Sequence, residues 1–316
     1  MSLEKLEILC CGLNVVDVLT PTPRDLRNGS KHEVSEIMVQ GGAPAGNAAC
    51  VLAALGAKTG YLTHMGDNLL SEISRSELVR WNVREDYFIH KAEAHPGIAV
   101  VEIDAQGERT VFYSLKNYCS ITSQEIPQNL NEKTQMVLVD GYETLGTIPL
   151  LEEARKKGVV SVLDMEAGDL EVMKKMISLA DHAILPFEAA KKVTGEESIE
   201  LVCQKMRGLS SHQVVITDGE KGSWAIIEKG IHHQAIFKVP VVDTTGCGDS
   251  YHGAYAFALL QGWALPLRME FSAWIASFVA GVMGGRTDLP TPEKIRKFDL
   301  SVLSLELQQK IKEKFL

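Results

Sequence analysis

Short apolar runs alternate with longer segments of helical spacing along most of the chain. The apolar runs predict strands at residues 8–12, 59–65, 136–139, 159–163, 182–185 and 213–217. The segments between them predict helices at residues 47–55, 69–81, 148–157, 170–179 and 188–193. Apolar strands that are separated by helices are typical of a parallel sheet buried on both faces. The pattern therefore predicts an α/β fold with a doubly wound, mostly parallel sheet flanked by helices.

Two segments early in the chain break this alternation. Residues 13–40 contain Pro21 and Pro23 and an apolar run at 34–39, and residues 96–116 have the pattern of a β-hairpin. Neither β-like segment is followed by a helix, so their strands would form a small separate sheet. We expect this inserted β-sheet to be a lid over the carboxyl ends of the main strands, where open α/β sheets bind ligands.

The rest of the chain completes one domain over residues 1–316. A hairpin pattern precedes a mostly helical C-terminal part, with the hairpin at 223–235 and helices at 247–260, 267–283, 291–297 and 300–316. The last of these helices is charged and amphipathic, which favours an outer helix rather than a binding element.

Composition excludes several classes of protein. Apolar residues make up 45% and charged residues 23% of the 316 positions, which is ordinary for a globular protein. The net charge of −9 argues against nucleic acid as the main partner, because phosphate binding needs a basic face. The six cysteines form no C-x2-C pair, so we expect neither a zinc site nor a disulfide framework. The N-terminus lacks an apolar signal region and the longest apolar stretch is too short to span a bilayer, so we expect a cytoplasmic protein without a membrane partner.

The segment at 241–251 carries the most chemistry. An apolar run ends at Asp243, Gly246 and Gly248 flank Cys247, and a helical pattern follows. Glycines at a helix start let the backbone approach a ligand, and the free N–H groups of the first turn form an anion site. Asp249 lies in that turn and would repel an anion, unless it accepts a proton from a hydroxyl that attacks the anion. Phosphoryl transfer needs this arrangement, whereas the alternative is that Asp249 caps the helix.

The sequence Asp-Thr-Thr-Gly-Cys-Gly-Asp at 243–249 resembles the second signature of the ribokinase-like (PfkB) carbohydrate kinases. Other segments resemble that family in the same order, at 12–17, 41–47, 65–67, 104–109, 217–222 and 284–290. The resemblance implies an enzyme that phosphorylates a hydroxyl group of a small sugar or sugar derivative, with ATP and Mg2+. It implies that Asp249 is the general base, and that the amides of Gly246, Cys247 and Gly248 hold the charge on the transferred group.

The resemblance also implies the two binding sites. The residues expected to line the sugar pocket are Asn14, Asp17, Gly41, Gly42 and Asn47. The residues expected to border ATP are Thr217, Gly219 and Gly222, and those that match a monovalent cation site, for K+, are Asp243 and Thr245. The structural alternatives are a helix N-cap for Asn47, a surface charge for Asp17 and a plain turn for 217–222.

The chain departs from the family pattern in three places. Four residues instead of three separate Gly42 from Asn47, and Phe-Glu-Ala-Ala at 187–190 replaces the Asn-x-x-Glu motif that helps to place metal and phosphate. Cys247 replaces an alanine, and its thiol is either activated by the helix dipole or inert. These departures keep two alternatives open, a catalytically impaired sugar-binding protein and a nucleoside kinase.

Two further expectations concern the lid. Lys31, His32 and Arg109 are cations near its strands that either meet an acidic group of the substrate or are solvated loop charges. An isolated small sheet also exposes apolar faces and edges, which a second copy of the chain could cover. The sequence therefore predicts a homodimer through the lid strands.

Overall fold

The computed structural model describes residues 4–23, 25–209 and 213–316. Within these residues the chain forms two sheets. Their strands in chain order are β1 (Leu6–Cys11), β2 (Val15–Pro21), β3 (Met38–Gly42), β4 (Thr59–Met65), β5 (Phe88–His90), β6 (Gly97–Ile103), β7 (Arg109–Ser114), β8 (Thr134–Asp140), β9 (Val160–Asp164), β10 (His182–Pro186), β11 (Gln213–Thr217), β12 (Ser223–Ile227) and β13 (Gly230–Gln234).

The larger sheet has nine strands in the order β13-β12-β11-β10-β9-β8-β1-β4-β5. All neighbours from β5 to β11 are parallel, and β12 and β13 continue the sheet in antiparallel pairing. The chain moves from β1 to β4 and β5 on one side and then returns to β8 on the other. This reversal opens a crevice at the carboxyl ends of β1 and β8, and it confirms the predicted doubly wound sheet.

Helices cover both faces of the larger sheet. They are α1 (Pro44–Ala54), α2 (Leu69–Arg80), α3 (Leu130–Lys133), α4 (Thr144–Lys157), α5 (Leu170–Leu179), α6 (Phe187–Thr194), α7 (Ile199–Leu209), α8 (Cys247–Leu260), α9 (Leu265–Val279), α10 (Pro292–Ile295) and α11 (Leu305–Phe315). Successive residues of β1 point to opposite cores, with Ile8 and Cys10 against α1, α8 and α9, and Leu9 and Cys11 in the core that includes α4 and α5. The central strands, such as β1 and β8, are mostly apolar because both of their faces are buried.

The smaller sheet has the order β3-β2-β6-β7 and forms the predicted lid. One face buries a small core that includes Leu19, Val101 and Ile103. The turn between β6 and β7 contacts the segment before α8, where the Thr244 N–H donates to the Gly107 carbonyl at 2.9 Å. The lid is thereby connected to the start of α8.

The lid strand predicted at 34–39 is wrong in its position, because β3 spans Met38–Gly42. Its bounds follow from antiparallel pairing with β2, which joins Val15 to Gly42 and Leu19 to Met38. Pairing with a partner strand therefore overrides the local apolar run and draws both glycines into the sheet.

Other element bounds also differ from the predictions. Helix α1 begins at Pro44 rather than at 47, since proline is favoured in a first helical turn. Helix α9 ends at Val279, and α7 and β5 were not predicted at all. Helix α11 is an outer helix, as expected, but it is firmly packed, with Leu307, Ile311 and Phe315 buried. Among the described residues, none of the helices combines the length and the apolar character that a membrane crossing requires.

Candidate active site

The loop before α8 presents backbone N–H groups to the crevice. Gly246 is its N-cap with φ of 77°, and a Cβ there would lie 2.6 Å from the Cα of Gly285, so both the backbone conformation and the packing require glycine. A Cβ on Gly248 would meet no atom within 4 Å, so this position faces open space. No described residue accepts a hydrogen bond from the amides of Gly246 and Gly248, and the start of α8 therefore offers an anion site.

Cys247 differs from the two glycines. Its N–H donates to the Thr244 carbonyl at 3.2 Å, so the expectation of three free amides is corrected to two. Burial raises the pKa of the Cys247 thiol to about 12, although the Arg109 guanidinium acts in the opposite direction. Burial therefore favours the inert thiol over the reactive one.

Asp249 is directed toward α1 rather than toward the N–H groups of its own helix. It is the third residue of α8, is 9% exposed and makes no capping hydrogen bond. Its Oδ2 accepts a hydrogen bond from Nδ2 of Asn47 at 2.5 Å. Asn47 itself lies within the first turn of α1, whose N-cap is Ala43, so the N-cap alternative for Asn47 is wrong.

A buried arginine supports this pair. Arg286 is 1% exposed, and its Nε donates to Oδ1 of Asn47 at 2.7 Å while Nη2 donates to the Gly42 carbonyl at 2.5 Å. A Cβ on Gly41 or Gly46 would overlap the Arg286 guanidinium. The glycines of this segment therefore leave room for the arginine, which positions Asn47 and, through it, Asp249.

Arg286 was not identified as a site residue from the sequence, although it lies in the segment 284–290 that resembles the family. An isolated cation between Gly285 and Asp288 in a glycine-rich loop was the available signal. Its Nη1 has no hydrogen-bond partner among the described residues.

Asp17 faces the same place from the lid. It is 8% exposed, which excludes the surface-charge alternative, and a Cβ on Gly42 would overlap its carboxylate. Burial raises the pKa of Asp17 to about 6, with Arg286 opposing this rise and Asp249 adding to it. Since no described residue donates a hydrogen bond to Asp17, its carboxylate is available to a ligand.

Asn14 contributes a donor to the same region. It is 2% exposed, and its Oδ1 accepts from the Ser74 hydroxyl at 2.6 Å. Its Nδ2 is buried and has no hydrogen-bond partner among the described residues. Asp17 and Asn14 thus offer an acceptor and a donor of the kinds that hydroxyl groups can satisfy.

Asp140 holds the strands and helix that carry these residues. It ends β8, is fully buried, and its Oδ2 accepts the N–H groups of Leu13 at 2.8 Å and Ala45 at 3.4 Å. It thus ties the residues after β1 to the start of α1. Burial raises the pKa of Asp140 to about 6, while the backbone N–H groups counteract this.

Two further acids lie beside Asp249. Oxygens of Asp164, Glu166 and Asp249 lie within 4.8 Å of one another. Burial raises the pKa of Glu166 to about 7, and Asp249 adds to the rise. The sequence analysis missed Asp140, Asp164 and Glu166, although each follows an apolar run predicted as a parallel strand. Acids at the carboxyl ends of such strands are the signal that could have identified them.

The lid places one of its three candidate cations at the anion site. Nη1 of Arg109 lies 3.3 Å from both the carbonyl and the hydroxyl oxygen of Thr244. His32 instead accepts a hydrogen bond from the N–H of Arg27 in its own loop, and Lys31 is exposed. Only Arg109 therefore has a position that suits a phosphoryl group.

The expected nucleotide-binding residues lie around the end of β11. Thr217 ends this strand, Gly219 begins a 3-10 turn beside open space, and Gly222 packs against the Gln234 carbonyl. Thr217 and Gly219 are therefore free to border a ligand, whereas Gly222 is explained by the packing of β12 on β13.

The two residues expected at a cation site have a structural role in this loop. Oδ1 of Asp243 accepts the Thr245 N–H and Oδ2 accepts the Gly284 N–H, both at 2.8 Å. Asp243 therefore joins the loop before α8 to the loop that carries Arg286. The Thr245 hydroxyl is buried and finds no hydrogen-bond partner in the part of the chain that the structure describes.

Known proteins resemble this chain over most of its length. Residues 5–292 match the family described as pfkB family carbohydrate kinase. A deoxyribokinase of Salmonella typhi is 22% identical over 93% of this chain and 98% of its own length. An Arabidopsis thaliana ribokinase, solved with ribose and ATP, superposes with a TM-score of 0.78 at 22% identity, covering 93% of this chain and 98% of its own. A Burkholderia thailandensis nucleoside kinase, solved with inosine, gives 0.74 at 18% identity, covering 91% and 95%.

Proposed function

Because the chain belongs to the pfkB family of carbohydrate kinases, we propose that it transfers the γ-phosphoryl group of ATP to a hydroxyl group of a small sugar or sugar derivative. One observation carries this proposal. The Asp249 carboxylate lies in the first turn of α8, beside free amides, and is held by Asn47 near the unpartnered Asp17. A base, an anion site and a hydroxyl acceptor thus converge at one place.

Asp249 acts as the general base in this reaction. It takes the proton of the attacking hydroxyl as the sugar oxygen bonds to the γ-phosphorus. The bond from that phosphorus to the β–γ bridging oxygen breaks, and ADP leaves with the electron pair. The amides of Gly246 and Gly248, with the guanidinium of Arg109, stabilise the charge on the transferred group.

Asp17, Asn14 and Asn47 bind the sugar beside this base. The Asp17 carboxylate accepts hydroxyl protons, and Nδ2 of Asn14 donates to a hydroxyl oxygen. Gly41 and Gly42 shape the pocket indirectly, because their missing side chains leave room for Arg286 and Asp17. The proposed sugar pocket therefore recognises hydroxyl groups rather than an apolar surface.

ATP fits on the other side of the transferred group. Gly248 and Gly219 face open space, and Thr217 ends a neighbouring strand of the sheet. When bound, Mg2+ neutralises phosphate charge and takes oxygen ligands. The segment at 187–190 does not supply them, since Phe187 begins α6 and the Glu188 side chain is 82% exposed in an ion pair with Lys191.

Release of ADP over a panel of sugars and nucleosides tests the proposal. We expect turnover with at least one free sugar or sugar acid. Turnover restricted to nucleosides would instead support a nucleoside kinase. Sugar binding in calorimetry without any turnover would support an impaired sugar-binding protein.

One feature of the lid favours the nucleoside kinase as second candidate. Tyr113 lies on the same lid face as Asp17, since β6 pairs Ala99 with both residues. Its side chain is 63% exposed and could stack on a base. Replacing Tyr113 with Ala should weaken nucleoside binding and leave the binding of a free sugar unchanged.

A second copy of this chain is the proposed partner of the outer lid face. Val18, Val39, Val100 and Phe112 lie in one row across the four strands, and the last three are 49%, 41% and 59% exposed. Such an apolar row is costly to leave in water. Sedimentation at micromolar concentration should show a dimer that the substitution Phe112→Glu dissociates, and a wild-type monomer would contradict the dimer alone.

Two expectations from the sequence stay predictions. Activation by K+ can be measured as turnover at constant ionic strength with K+ or a large organic cation. The cytoplasmic location can be determined by fractionation of cells that express the protein.

A further inference from the structure

Three carboxylates beside the anion site have too little positive charge around them. Oxygens of Asp164, Glu166 and Asp249 lie within 4.8 Å of one another, and Asp164 is only 1% exposed. Carboxylates this close repel one another unless protons or a cation compensate. Nε2 of His252 lies 3.3 Å from Oδ1 of Asp164, and the Tyr142 hydroxyl donates to Glu166 at 3.1 Å. The exposed Arg109 guanidinium also acts on Glu166, but one lid cation does not compensate three carboxylates.

Asp164 provides a second and independent indication of a ligand. Both of its oxygens are buried, and neither accepts a hydrogen bond from any described residue. His252 does not supply one, because its Nδ1 is directed at the Gly248 carbonyl at 2.7 Å and its Nε2 lies 3.4 Å from the Ile184 carbonyl. Buried carboxylate oxygens are rarely left without a partner, so those of Asp164 point to a partner from outside the chain.

A divalent metal ion matches this group of oxygens. Mg2+ takes oxygen ligands at about 2.0–2.1 Å in octahedral geometry, which places two ligands about 3–4 Å apart. Small rotations of the side chains would bring Asp164 and Glu166 from their present separation into that range. Asp249 need not take part, because its Oδ2 already accepts the hydrogen bond from Asn47.

We propose that Asp164 and Glu166 hold a divalent metal ion against the nucleotide phosphates, in place of the Asn-x-x-Glu motif that the chain lacks at 187–190. The proposal rests on the proposed kinase function, because the phosphates supply the remaining ligands. It explains how a chain with Phe187 and Ala190 in that segment retains a metal site. The metal ligands would then lie at the end of the neighbouring strand β9 and just after it, instead of at the start of α6.

Binding of the β,γ-methylene analogue of ATP, measured by calorimetry in EDTA and in excess MgCl2, tests this. We expect Mg2+ to strengthen binding to the wild type at least about tenfold. In Asp164→Asn and in Glu166→Gln this gain should disappear in MgCl2. In EDTA both variants should bind the analogue as tightly as the wild type or more tightly, because a negative charge beside the phosphates is removed. A merely structural role for these acids would weaken binding in both conditions.

Glu188→Gln is the matched control, since Glu188 is an exposed acid in the segment that replaces the family motif. It should keep the whole gain from Mg2+. Retention of the gain in Asp164→Asn, or its loss in Glu188→Gln, would overturn the proposal. If Asp164→Asn does not fold, crystals of the wild type with MnCl2 and the analogue decide the matter. An anomalous peak next to Asp164 and Glu166 supports the proposal, and a peak away from both contradicts it. Failure of the kinase function would look different, as absence of phosphorylated product for every acceptor.

Discussion

The negative charges at the site are balanced in different ways on the two sides of Asp249. On one side, Asn47 donates to Asp249 and is held in turn by the fully buried Arg286, so the protein supplies its own cation. On the other side, Asp164 and Glu166 lie within 4.8 Å of Asp249, and His252 and Tyr142 are their polar neighbours. The comparison teaches that residues of the protein hold Asp249 on the first side, whereas the acids of the second side would be compensated by the metal ion that we propose. Under the proposed function, the sugar side is positioned by the protein and the nucleotide side depends on a ligand.

The largest effect is expected from the residue that both sides share. Asp249→Asn should lower kcat by about 10²–10⁴-fold, because a general base is lost while the hydrogen bond from Asn47 can persist. ATP binding and the melting temperature should stay close to wild type. Steady-state kinetics with the best acceptor measures this. Near-normal turnover would remove Asp249 from the role of base.

Removing Arg286, the buried cation of the first side, should lower the stability of the fold as well as the activity. Arg286→Met leaves the Asn47 and Gly42 oxygens without their donors and removes the cation next to Asp17. We expect a loss of about 2–5 kcal/mol in the free energy of unfolding, because two buried acceptors lose their donors. Urea denaturation measures this, with Arg75→Met as the control because its partner Glu85 lies at the surface. Equal losses in both variants would contradict a special role for Arg286.

On the sugar side of Asp249, the Asp17 carboxylate is available to bind the proposed substrate. Asp17→Asn should weaken sugar binding by about 1.5–3 kcal/mol, since hydroxyl groups lose a charged acceptor. Affinity for the ATP analogue should be little changed, because Asp17 lies in the lid and not at the anion site. Calorimetry with each ligand separates the two effects. Equal losses for both ligands would indicate a folding defect instead.

Asp17→Asn should weaken sugar binding but raise the stability of the fold, and the gain in stability should depend on pH. Burial raises the pKa of Asp17 to about 6 in the folded protein, so the folded state holds this proton more tightly than the unfolded state does. Stability of the wild type therefore falls as the pH rises from about 4 to 6, and stays low above that. Asp17→Asn lacks this loss and should be more stable at pH 8 by up to about 3 kcal/mol. The difference should vanish below about pH 4, and a difference independent of pH would contradict the assignment.

The smallest effect is expected at Cys247, the first residue of α8. Cys247→Ala should keep full activity, because alanine leaves the backbone unchanged. Since burial raises the thiol pKa to about 12, alkylation with iodoacetamide at pH 8 should inactivate wild type and variant at the same rate. Inactivation of the wild type alone, with protection by ATP, would restore the reactive-thiol alternative.

Local sequence patterns were sufficient for the general architecture and for one end of the site. The apolar runs identified the parallel strands β1, β4, β8, β9, β10 and β11, because a strand buried on both faces has few polar positions. They did not identify the short edge strand β5. Gly246 marked the start of α8, since the requirement for a positive φ is a local property. The resemblance to a family then placed Asp17 and Asn47 in the same site as Asp249.

The partners of these residues were beyond the reach of local patterns. Asn47 and Asp249 are 202 positions apart in the chain, and Arg286 and Asn47 are 239 apart. Nothing near Arg286 in sequence shows that its guanidinium fills the space left by Gly41 and Gly46. The segments that end at Asp140 and Asp164 were predicted as strands. That the two acids lie side by side was established only by the parallel pairing of β8 with β9.

The sequence by itself determined most of the strands and helices, and it identified the helix N-terminus that can bind an anion. It could do so because backbone preference and hydrophobic periodicity act over a few residues. Only the tertiary structure decided which charges meet. The sheet order sets Asp164 near Asp249, and the packing of the Gly284–Arg286 loop against α1 sets Arg286 on Asn47. Charge compensation depends on distance in space and on burial, and neither quantity is encoded at any single position of the chain.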